Sequence, residues 1–195
     1  MTTDAPQHTV DHLFHLLISQ GDADYIGEKV SQLQHCLQAA HLAQSAGSDE
    51  ETILAALLHD IGQFLPEDAA EAMMTEQGSV GRQGHEQLGA TYLAELGFSR
   101  KVCDLVGAHV VAKRYLTAID KSYYDGLSDA SRMSLRFQGG PFTSPEVEDF
   151  ERDPIFPAKV ALRKWDDQAK VVGLVVPEVD AYRPMALRHL LLQSS

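Results

Sequence analysis

His35, His59, Asp60, His85, His109 and Asp166 are the residues of this chain whose types and spacing point to chemistry. Imidazole and carboxylate without thiolate are donors suited to iron, manganese or zinc. His59 and Asp60 adjoin in Leu57-Leu58-His59-Asp60-Ile61-Gly62, and the other four stand far apart, each in a stretch that reads as helix. Six protein donors are too many for one metal that keeps an open position. They suit two metals bridged by a carboxylate, and so a metalloenzyme with a dinuclear centre.

Helices must carry these donors. Val10 to Gln20 places Leu13, Leu16 and Leu17 at helical spacing, and Ile26 to Ala46 does the same with Val30, Leu33, Leu37, Ala40 and Ala43. Ser48-Asp49-Glu50-Glu51 reads as a capping box opening a helix through Leu58. Glu86 to Leu96, Ser99 to Leu116, a short acidic helix after Pro145, one from Pro157 through Val171 and a terminal one over Arg183 to Gln193 follow. Gly78 to Gly84 and Gln138-Gly139-Gly140-Pro141 read as loops, and alternating strand patterns are nearly absent.

Neighbouring helical residues lie about 100° apart. His59 and Asp60 therefore reach a common metal only where it sits between their sectors, near a helix end, and Gly62 weakens the helix there. Gln63 shares their face, and Lys113 shares that of His109. On the late helix Ala158, Leu162, Trp165 and Ala169 form the apolar stripe. Asp166 then points inward, Asp167 reads as a solvated charge, and Arg163 reaches the rim of the same cavity. His8, His12, His15, His41 and His189 read as surface or internally satisfied residues.

Composition narrows the function classes. A chain of 195 residues with 44% hydrophobic content can bury one sizeable core, and one domain over residues 1–195 is expected. A formal net charge of −12 argues against nucleic-acid and anionic-membrane partners, yet leaves room for a small anion held by local cations. Cys36 and Cys103 lack paired spacing and read as free thiols of a reducing cytoplasm. Neither a membrane span nor a signal peptide is expected, and no residue pattern sets an oligomeric state.

At these residues the chain resembles the HD-domain superfamily, an all-α, metal-dependent helical bundle, over about residues 25–170. The resemblance implies His35, His59, Asp60 and Asp166 on one metal, with Asp60 bridging to a second held by His85 and His109. Most members are phosphohydrolases. A small branch uses two irons in the mixed-valence Fe2+/Fe3+ state with O2, and this sequence looks most like its phosphonate-cleaving oxygenases. The matching segments are Asp24-Tyr25-Ile26-Gly27-Glu28, Gln32-Leu33-Gln34-His35, Ala55-Ala56-Leu57-Leu58-His59-Asp60-Ile61-Gly62 and Leu162-Arg163-Lys164-Trp165-Asp166-Asp167-Gln168-Ala169-Lys170.

The resemblance implies that Tyr25 and Glu28 form a substrate-responsive gate, catalytic together with Asp60. It also implies that Lys113 and Arg163 hold phosphonate oxygens. Gln63 stands where a related aminophosphonate enzyme has histidine. An amide there favours a methylated ammonium, for which Tyr25, Glu28, Tyr115, Tyr123 and Tyr124 are candidate surroundings. The expected reaction is oxygen-dependent cleavage of the carbon–phosphorus bond of a 1-hydroxy-2-(trimethylammonio)ethylphosphonate or 1-hydroxy-2-aminoethylphosphonate. It yields glycine betaine or glycine plus phosphate. The alternative is a metal-dependent phosphohydrolase of a small phosphate ester, and a third reading is a catalytically silent signalling domain.

Overall fold

The computed structural model describes residues 4–25, 28–66, 71–76 and 78–194. The helices are α1 (Asp4–Gln20), α2 (Gln32–Ser45), α3 (Glu50–Leu58), α4 (Ile61–Phe64), α5 (His85–Glu95), α6 (Arg100–Val106), α7 (His109–Ile119), α8 (Lys121–Gly126), α9 (Asp129–Phe137), α10 (Ser144–Glu151), α11 (Phe156–Gln168) and α12 (Arg183–Gln193). The all-α expectation holds. None of these helices is long and apolar enough to cross a membrane.

The core is built around α3, which is buried from Thr52 to Leu58. Leu13, Phe14 and Leu17 of α1, Cys36 and Ala40 of α2, Leu93 of α5, Val102 and Leu105 of α6, Leu162 of α11 and Leu190 of α12 join one apolar cluster with it. Each fully buried leucine contributes about 1.5–3 kcal/mol through its removal from water. Helices from both ends of the chain thus enclose the central one, and the metal-type residues emerge where it ends.

Several boundaries differ from the sequence expectations. The second helix begins at Gln32, because Ser31 and Gln34 form a reciprocal capping box that stops it running back toward Ile26. Ile26 and Gly27 lie outside the described residues. On either side of them Tyr25 N donates to Val30 O and Glu28 N to Tyr25 O, bonds of a turn rather than of a continuing helix. The cap of α3 is Asp49, whose carboxylate accepts from Thr52 N at 2.9 Å, and Ser48 lies outside it. The expected helix from Ser99 to Leu116 is broken at Gly107-Ala108 into α6 and α7. The expected loop at Gly78 to Gly84 contains β2 (Gly78–Arg82), paired antiparallel with β1 (Ala72–Thr75), with a bulge between Ala72 and Met74. Cys36 is a buried free thiol and Cys103 a half-buried one.

Gly62 matters through close approach. A Cβ there would lie 2.0 Å from the carbonyl oxygen of His85 and 3.0 Å from Gly89 N. Backbone cannot yield as a flexible side chain would, so α4 meets α5 only with glycine at this point. Gly62→Ala should force the two helices apart at a cost of about 1–3 kcal/mol. It should also draw His85 away from Asp60. Thermal unfolding and metal content measure the two effects; a variant with unchanged melting and full metal would mean the crossing has slack.

Candidate metal centre

The six donors converge from five places in the fold: α2, the α3–α4 junction, and the starts or ends of α5, α7 and α11. They form two groups, His35/His59/Asp166 and Asp60/His85/His109, all buried, each with donor atoms within 4.8 Å of one another. In the first, His35 Nε2 lies 3.0 Å from His59 Nε2 and 3.4 Å from Asp166 Oδ1. In the second, His85 Nε2 lies 3.0 Å from His109 Nε2 and 3.2 Å from Asp60 Oδ1. Asp60 faces both groups. Its Oδ1 lies 3.6 Å from His109 Nε2, and its Oδ2 lies 3.7 Å from His35 Nε2 and 3.6 Å from His59 Nε2.

Helix ends create this convergence. His59 is the C-cap of α3, while His85 and His109 are the first residues of α5 and α7. Each turns its Nδ1 onto the carbonyl three residues before it, at Ala56, Arg82 and Val106, at 2.8 Å. His35 Nδ1 instead meets Ala169 O at 2.9 Å, across from the end of α11. A carbonyl only accepts, so every Nδ1 carries the proton and every Nε2 presents a lone pair. Two neutral imidazoles with Nε2 atoms 3.0 Å apart have no hydrogen to share. A cation between them satisfies both, and the carbonyl contacts are the outer support that metal-bound histidines characteristically have. The donor set therefore fits two metal ions.

Burial and neighbouring charge tune the groups. Burial lowers the imidazolium pKa of His109 to about 3, because a second proton beside His85 has no water to stabilise it. Burial alone would raise Asp60 and Asp166. The imidazoles around Asp60 hold it below the carboxylate range, and the Arg163 guanidinium does so for Asp166. Both carboxylates are thus anions. Burial, and then Arg163, bring the Lys113 amine down to about 7.

A pocket opens over Asp60, His85, His109 and Asp166, and Tyr25, Glu28, Gln63, Lys113 and Arg163 all line it. Tyr25 stacks on His35, with ring centroids 3.8 Å apart, and its hydroxyl lies 3.5 Å from Asp166 Oδ1. Lys113 is buried. Its Nζ donates to Ser134 Oγ at 2.9 Å and pairs with no carboxylate among the described residues. Gln63 Oε1 accepts from Arg82 N at 3.1 Å.

Other sequence readings need correction. Asp167 is no solvated charge, because its carboxylate takes Arg163 Nε at 3.1 Å and is also bonded to Arg163 Nη2 and Tyr123 Oη. Glu28 keeps its expected place on the pocket wall and also pairs with Lys170 at 3.1 Å. Among the aromatic candidates Tyr115 donates to Glu151, Tyr124 is exposed, and Tyr123 sits on Arg163, so only Tyr25 lines the pocket. Lys170, Ser131, Ser134 and Gln138 line it unforeseen. Lys170 had a signal, four residues after Asp166; the α9 residues had none. His189 is satisfied internally, accepting from Ser99 N at 3.1 Å.

The comparisons with known proteins agree with this geometry. A family model described as HD domain matches residues 33–133. The chain is 43% identical over 179 residues to hydroxymethylphosphonate dioxygenase of Gimesia maris, covering 91% of this chain and 86% of that one. It is 38% identical over 169 residues to the glycine-betaine-forming 1-hydroxy-2-(trimethylamino)ethylphosphonate dioxygenase of Leisingera caerulea, covering 87% and 84%. The chain belongs to the HD-domain family. Within that family it groups with the phosphonate dioxygenases, and it is an oxygenase.

Proposed function

We propose that this oxygenase cleaves the carbon–phosphorus bond of a small 1-hydroxylated phosphonate, using two irons of mixed valence held by His35, His59, Asp60, His85, His109 and Asp166. The observation that carries the reading is Asp60 between two ligand groups, with Lys113, which pairs with no carboxylate among the described residues, lining the same pocket. When bound, the metals would supply Lewis acidity for the substrate's oxygens and the electrons that activate O2.

The protein's residues supply the rest. Lys113 meets the phosphonate charge, and Arg163 offers it the N–H groups that its carboxylate partners leave over. Tyr25 covers His35 until substrate displaces it. Burial and then the Asp166 carboxylate raise the pKa of its hydroxyl well above that of an ordinary phenol.

The substituent on that carbon has two readings. Gln63 on the pocket wall and the relative named for a trimethylamino substrate support a 2-trimethylammonio group, with the 2-amino compound beside it. Pairing of Glu28 with Lys170, and the placement of three candidate tyrosines elsewhere, favour a substrate with no cation at all, hydroxymethylphosphonate.

All three phosphonates should be offered to iron-loaded protein while oxygen uptake and phosphate release are followed. Phosphate should appear with one O2 consumed for each, and should not appear under argon. With hydroxymethylphosphonate the organic product by atom balance is formate. Preference for either cationic substrate would place a positive charge beside Glu28, and preference for hydroxymethylphosphonate would leave Glu28 to Lys170. Rapid anaerobic hydrolysis of a phosphomonoester, without oxygen uptake on any phosphonate, would overturn the reading in favour of a phosphohydrolase.

A further inference from the structure

Arg163 reaches the pocket with most of its donors already engaged. Nη1 donates to Asp166 Oδ2 at 2.7 Å, Nη2 donates to Asp167 Oδ1, and Nε is shared between Asp167 Oδ2 and Tyr123 Oη, both at 3.1 Å. A guanidinium has five N–H groups, so one remains on each Nη. Its charge is balanced by two carboxylates. What it offers an anion is therefore the aim of two N–H groups rather than net attraction, and aim depends on what fixes the plane.

Tyr123 fixes it from outside α11. The phenol donates to Asp167 Oδ2 while accepting from Arg163 Nε, which closes a three-membered ring of hydrogen bonds. Tyr123 is carried by α8, a helix that buries no residue in the core. Helix packing thus gives no account of this half-buried phenol, whereas its seat on the guanidinium does.

We propose that Tyr123, with Asp167, is a positioning residue for Arg163, so that α8 belongs to the substrate-binding machinery without touching substrate. The inference rests on the reading above that Arg163 meets phosphonate oxygens. Its test uses inorganic phosphate, titrated calorimetrically into metal-loaded protein, and needs no turnover.

Tyr123→Phe keeps the ring and removes the two hydrogen bonds. It should weaken phosphate binding about three- to tenfold, less than loss of a direct charge-assisted hydrogen bond because the phenol acts through Arg163, with metal content unchanged. In an Arg163→Lys background, where the planar fork is gone, the same change should cost nothing further. Asp167→Asn should weaken binding in the same direction and show the same dependence on Arg163. Equal losses in both backgrounds would overturn the proposal, as would no loss in either. Loss of metal or fold in Tyr123→Phe would make the phenol structural, and absence of phosphate binding by the natural protein would leave no clamp to position. Phosphate binding without oxygen uptake on any phosphonate would sink the oxygenase reading alone, and the titrations would still judge the brace.

Discussion

Asp60→Ala is expected to strip metal from both halves of the centre and to lower turnover by at least about a hundredfold. Loss of an outer partner of a ligand alone costs about 10–100-fold in metal affinity or activity, and a ligand shared by two sites costs more. The geometry sets the contrast with the histidines. Asp60 Oδ1 approaches His85 and His109, and Oδ2 approaches His35 and His59. His109→Ala touches only one group, so it should reduce metal from two ions per chain toward one. Metal analysis of the two variants, made side by side in iron-supplemented cells, measures the difference. Equal and single losses in both would confine Asp60 to one site and remove the bridge.

Lys113→Met is expected to lower kcat/KM for the phosphonate about ten- to a hundredfold while metal content stays near two ions. A charge-assisted hydrogen bond contributes about 1.5–3 kcal/mol, and methionine keeps the buried stem. Lys113 should also make the free enzyme sensitive to pH. Its ammonium, lowered to about 7 by burial and by Arg163, is present below that pH and lost above it. Since the anion needs the charged form, kcat/KM should fall as pH rises through about 7 and above. Arginine does not titrate there, so Lys113→Arg should abolish this alkaline fall even if it lowers the plateau. A fall that persists unchanged in Lys113→Arg would assign it to another group.

Much of this was legible in the sequence because the signals are strong ones. Long helices such as α1 and α2 show apolar spacing, and the six donors stand out by residue type. The missed elements carry weaker signals. The helix α8 buries nothing and so has no apolar stripe to read. Strands β1 and β2 have four and five residues, and the second contains glycines at φ 116° and 109°, a turn signature within a ladder. Asp167 was misplaced because the stripe argument treats α11 as an isolated cylinder. The far side of α11 is covered by Tyr123, and the Arg163–Asp167 spacing of four residues was the available clue. Glu28 and Lys170 are 142 residues apart, and only the fold brings them together.

His59, His85 and His109 occupy helix ends rather than helix faces, each leaning on a carbonyl three residues earlier. The unit that would have to be transplanted to recreate this centre in another scaffold is therefore larger than six side chains. Copied onto uninterrupted helices, His59 and Asp60 would splay by about 100° and the ring anchors would be occupied by the next backbone N–H. A working graft must carry the interruptions: the stop between α3 and α4, the Gly62 crossing that admits α5, and the break before α7. Designers who borrow a helical bundle for its regularity would be discarding the feature that makes this one bind metal.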